Sequence, residues 1–154
     1  MCLALYRASG HQMQIIQQRE YPKDAMSSPT WPREAQRFHT AELRPGQEAV
    51  RAHFSHPQVL YAGSYEGCGC GFDFGREYPE AEDEPEQLIA AAQSVEELVR
   101  YVRELRVLQI YTCWFGDEAQ PTLHERTVTP ATLASQEFFF REQELLSIDH
   151  VEPR

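Results

Sequence analysis

The chain has 154 residues, 42% hydrophobic and 25% charged, which excludes disorder over most of its length and is enough for one domain spanning 1–154. A formal charge of -10, with Lys23 the one lysine, makes a nucleic-acid backbone or an anionic membrane a poor partner. No segment approaches the roughly 20 apolar residues of a membrane span, and the opening Met1-Cys2-Leu3-Ala4-Leu5-Tyr6-Arg7 lacks a leader's basic and long apolar regions, so the expected location is the cytoplasm.

In chain order, residues 2 to 8 alternate as a strand, with Leu3, Leu5 and Arg7 on one face and Cys2, Ala4 and Tyr6 on the other. Arg19 to Gln36, with Pro22, Pro29 and Pro32, is expected to be a long loop pinned by Trp31. Arg37 to Leu43 suits a strand, Gln47 to Phe54 a short helix, and Gln58 to Tyr65 a strand of good β-formers.

The nine residues Gly67-Cys68-Gly69-Cys70-Gly71-Phe72-Asp73-Phe74-Gly75 follow. Period-two alternation predicts a strand here, paired to the one before it through a hairpin with Gly67 at positive φ. Cys68, Cys70, Phe72 and Phe74 would share one face, and the glycines would leave the other bare. Glycines in a strand weaken it and mark a close approach; the helix near residues 94 to 105 is the expected occupant.

Arg76 to Glu86 is acidic and expected to be a solvated loop. Ser94-Val95-Glu96-Glu97 fits a capping box opening a helix striped by Val95, Leu98, Val99, Val102 and Leu105; one longer helix from Glu86 is the competing reading. Val107 to Phe115 is the expected spine of the sheet, with Val107, Tyr111 and Cys113 on one face. His124 to Val128 suits a strand, Thr129-Pro130 opens a short helix, and residues 137 to 148 are expected to form a last strand. The fold class is therefore α+β: a single mixed or mostly antiparallel sheet with one main helix and one or two short ones.

The opening Met-Cys-Leu-Ala-Leu-Tyr, the Gly-Cys-Gly-Cys-Gly-Phe stretch and Tyr111-Thr112-Cys113-Trp114 before Gly116-Asp117-Glu118 resemble a group of small bacterial proteins. The resemblance spans much of the chain and implies no activity, cofactor or catalytic residue.

The four cysteines carry the chemistry to be weighed. In a reducing compartment Cys2, Cys68, Cys70 and Cys113 are thiols or metal ligands rather than structural disulfides. Four thiolates would suit zinc, although a lone Cys-x-Cys, its Cα atoms about 7 Å apart on a strand, is shorter than the usual ligand spacing. The alternatives are a reactive thiol or four small core residues. Asp117, Glu118, His124 and Glu125 follow the central strand as acid–base candidates or a polar turn, and His53 and His56 are spaced to share a metal. Asp73 and Tyr65 would border a shallow cleft if the glycine face were open. The sequence leaves catalysis undecided. Its expectation is a small acidic non-enzymatic binding or interaction domain, able to self-associate through an edge strand. The alternative is a cysteine-centred zinc or thiol site.

Overall fold

The computed structural model describes residues 2–22, 24–76 and 84–151. Most of the acidic run, residues 77–83, falls outside them. The strands are β1 (Leu3–Ser9), β2 (His39–Ala41), β3 (Gln58–Gly63), β4 (Gln109–Trp114), β5 (His124–Val128) and β6 (Glu144–Ile148). They form one sheet in the order β2-β3-β1-β4-β6-β5. Every pairing is antiparallel except β5 with β6, so the sheet is mixed and the fold is α+β, as the sequence predicts. The parallel pair needs a crossover, and the segment between its strands supplies one.

The helices are α1 (Trp31–Glu34), α2 (Cys70–Asp73), α3 (Pro85–Glu104) and α4 (Pro130–Ala134), with 3-10 turns at Ala25–Ser27 and Pro45–His53. Thr129 caps α4 as expected, its hydroxyl accepting the Thr132 N–H at 3.1 Å. The expected long loop holds α1, where Trp31 stands edge-on to Tyr21 and packs with Ala35, Tyr65, Ala90 and Ala91. Among the described residues, no helix is long and apolar enough to cross a membrane.

Alternation in β1 sorts the core. Leu3 and Leu5 join Ile110, Leu146 and the α3 residues Leu98, Val99 and Val102 on one face. Ala4, Tyr6 and Ala8 join Tyr111, Cys113 and Val50 on the other, where the 3-10 segment covers the sheet. Arg7 follows the first face as the sequence predicts. It is fully buried, its guanidinium 4.2 Å from the centre of the Tyr101 ring, and burial lowers its pKa to about 10.

Several local expectations are corrected. α3 is the longer helix, so Ser94 is no cap; it lies buried within the helix and its hydroxyl accepts the Tyr65 N–H at 3.1 Å. β4 begins at Gln109, so Val107 lies outside the alternation and joins the α3 face. The strand expected over 37–43 shortens to β2, and the one over 137–148 to β6. Most important, residues 67–75 are not a strand: they form a turn followed by the single turn of α2.

Candidate functional site

The glycine–cysteine stretch is shaped by backbone bonds that alternation cannot reveal. Beyond β3 the chain turns at Gly67, whose φ of 81° is the left-handed value expected there. The Ser64 N–H and hydroxyl both donate to the Cys68 carbonyl, at 3.0 and 2.6 Å. The Tyr61 hydroxyl donates to the Gly67 carbonyl at 2.7 Å. The chain then meets the start of β1: the Gly69 N–H donates to the Leu3 carbonyl at 2.7 Å, and the Leu3 N–H donates to Cys70 Sγ at 3.1 Å. These bonds satisfy polar groups that a hairpin ladder would otherwise take.

The same approach explains why the small residues alternate. A Cβ on Gly69 would stand 2.9 Å from the Leu3 carbonyl oxygen, and one on Gly71 would stand 2.1 Å from Ser64 Oγ. The close approach inferred from the glycines is therefore real, but its main partners are β1 and Ser64. α3 packs against α2 as well, and its Leu88 abuts Gly75.

The turn brings the sulfurs of Cys2, Cys68 and Cys70 within 4.8 Å of one another. Cys68 is buried, Cys70 is half-buried and Cys2 is exposed. The neighbouring Cys68 thiol, assisted by the Leu3 N–H, holds the Cys70 thiol below the usual range against the opposing effect of burial. The proximity of Cys70, together with burial, pushes the Cys68 thiol up.

Cys70 also lines a cleft of about 400 Å³. Leu3, Phe74, Trp114 and Phe140 form its apolar walls, with Glu66, Arg141 and Glu142 at the rim. Asp73 is buried there, and its Oδ1 accepts the Phe140 N–H at 2.9 Å and lies 3.6 Å from the Arg76 guanidinium. It fastens the 138–142 segment to α2 and is more enclosed than the sequence suggests. Trp114 Nε1 donates to Glu142 at 2.7 Å. Glu66, Arg141 and Glu142 carried no local sequence signal, because they reach the cleft from separate parts of the chain.

The remaining candidates lie elsewhere. Cys113 is not among the three clustered thiols; it packs with Ala4, Tyr6 and Tyr111 on the opposite face. Glu118 is buried, accepting the Tyr6 hydroxyl at 2.8 Å and the Gly116 N–H at 3.0 Å. His53 bonds to Thr122 and to the Glu118 carbonyl, both at 2.8 Å. His124 and Glu125 are exposed on β5. Asp117 is half-buried, and its N–H closes the turn to the Trp114 carbonyl at 3.0 Å. Among the described residues, Cys2, Cys68 and Cys70 form the one group of three or more His, Cys, Asp or Glu side chains placed to share an ion.

Compared with protein-family models, curated proteins and solved structures, the chain matches none.

Proposed function

We propose that the protein is a small non-enzymatic binding domain whose ligand is a soft metal ion held by Cys2, Cys68 and Cys70, with zinc the ion this donor set suits best. The observation that carries the reading is the convergence of three thiols from two distant segments to within 4.8 Å. Three sulfurs around one zinc at about 2.3 Å stand roughly 3.8 Å apart, so small side-chain adjustments would bring them onto an ion. The Leu3 N–H at Cys70 Sγ is the kind of backbone donor that supports a coordinating thiolate. Cys113 has no part in this reading.

Elemental analysis of protein purified without chelators tests it. One equivalent of zinc is expected, retained in Cys113→Ala and lost in Cys68→Ala/Cys70→Ala. Cobalt loading should give the sulfur-to-metal absorption of a thiolate site. A folded protein that takes up neither metal and whose clustered thiols titrate freely would sink the proposal.

A further inference from the structure

The cleft makes one sulfur of the cluster accessible to small molecules, independently of any metal. Cys70 lines that cleft, Cys68 is buried and Cys2 is exposed. The Leu3 N–H points at Cys70 Sγ from 3.1 Å, a fixed donor that stabilises charge on this sulfur. A second thiol stands within 4.8 Å, so closing a disulfide of about 2 Å needs only local movement.

We infer that, when free of metal, Cys70 is the attacking thiol in exchange with low-molecular-weight disulfides, and that Cys2 is the resolving thiol. Cys70 loses its proton to solvent, its sulfur bonds to one substrate sulfur as the substrate S–S bond breaks, and the departing thiolate takes a proton from solvent. Cys2 then loses its proton to solvent and attacks the Cys70 sulfur. The mixed disulfide breaks, the second small thiol leaves, and a Cys2–Cys70 disulfide remains. The substrate disulfide is the two-electron oxidant and the two protein thiols are oxidised. Cys2 resolves rather than Cys68 because it is exposed, whereas Cys68 is buried.

The cleft also sets a substrate class. Its walls are apolar, and its rim sets Glu66 and Glu142 against Arg141 in a chain of net charge -10. Cationic disulfides are therefore favoured over those bearing carboxylates.

The test uses the full chain, reduced and stripped of metal, reacted with cystamine or with oxidised glutathione, quenched in acid and mapped by mass spectrometry. The guanidinium-unfolded chain supplies the reference rates. Wild-type protein should form the Cys2–Cys70 link, with a cystamine preference about fivefold above that of the unfolded chain. Cys2→Ser should stop at a mixed disulfide on Cys70, and Cys70→Ser should lose the enhancement over the unfolded chain. If Cys70→Ser fails to fold by circular dichroism, the adduct map of Cys2→Ser decides. An adduct on Cys68 or Cys113, or a wild-type rate no higher than the unfolded reference, overturns the assignment; a preference ratio of one overturns the substrate class. Metal content is measured on separate, unstripped samples, so loss of either reading leaves the other standing.

Discussion

Two regions beside β1 hold sulfur and carboxylates, and they differ in access. On one face, Cys113 lies opposite Ala4 with no exposed surface, beside a Glu118 whose two oxygens are taken by Tyr6 and Gly116. His53 closes that region, stacked on Tyr111 with ring centres 3.9 Å apart. At the end of the strand, Cys2, Cys68 and Cys70 crowd together beside an open cleft. The first arrangement spends its polar groups on packing, and the second leaves a sulfur facing space. Residue type is the same in both, so the chemistry follows from which groups the fold encloses.

The sharpest way to test that contrast is to damage the enclosed region. Glu118→Ala leaves the buried Tyr6 hydroxyl without its acceptor, a loss that costs about 1–3 kcal/mol, whereas the N–H of exposed Gly116 can turn to water. Stability in urea should fall by about 1–3 kcal/mol, while the folded fraction binds metal as before. A loss below about 1 kcal/mol would show that water reaches this region, and the contrast would fail.

Next in size is Gly71→Ala. The new methyl would overlap Ser64 Oγ and strain its bond to the Cys68 carbonyl. Overpacking of this kind costs about 1–3 kcal/mol. Here metal affinity should weaken with stability, because the same bond holds the cysteine turn; unchanged affinity would separate the turn from the site.

These two positions also show what was legible in the sequence. β1, β3, β4, β5 and α4 follow from apolar alternation and turn or capping residues, which act over a few neighbours. The 67–75 stretch misleads because alternating glycines satisfy a strand pattern and equally a backbone pressed against another chain segment. What decides between them is the pair of bonds to Leu3, more than sixty residues away. Ser94 misleads similarly: its local spacing fits a cap, but the Tyr65 N–H finds it inside a helix. Of the four cysteines weighed as ligands, Cys2, Cys68 and Cys70 converge in space and Cys113 lies apart from them. Strand parity does not reveal that separation, because residues 67–75 form a turn and a single helical turn rather than a strand.

Alkaline titration gives a smaller effect. Burial, then Glu118 and Asp117, push the Cys113 thiol up to about 12, whereas an unfolded thiol ionises near about 8.5. Above that lower value the unfolded chain has released a proton that the folded chain keeps, so stability falls as pH rises. Between about pH 8.5 and 10, before unfolded tyrosines ionise, Cys113 contributes a slope of up to about 1.4 kcal/mol per unit. Cys113→Ala should lose about 1 kcal/mol at neutral pH through the small cavity, yet show a shallower alkaline decline in urea melts taken across this range. An unchanged slope would mean that Cys113 is not kept neutral by enclosure.

The smallest expected effect concerns the open region. In Glu142→Gln the amide oxygen can still accept from Trp114 Nε1, so stability should change by less than about 0.5 kcal/mol. Removing one rim charge should nonetheless reduce the preference for cystamine over oxidised glutathione by about twofold, the scale of an exposed charge interaction. Because such interactions are screened, raising the salt should bring the wild type towards the variant's ratio. If Glu142→Gln keeps the full preference at low salt, selection rests with Glu66 or with the walls around Trp114. Glu66→Gln and Trp114→Leu then distinguish them, since only loss of a charge should also remove the salt dependence.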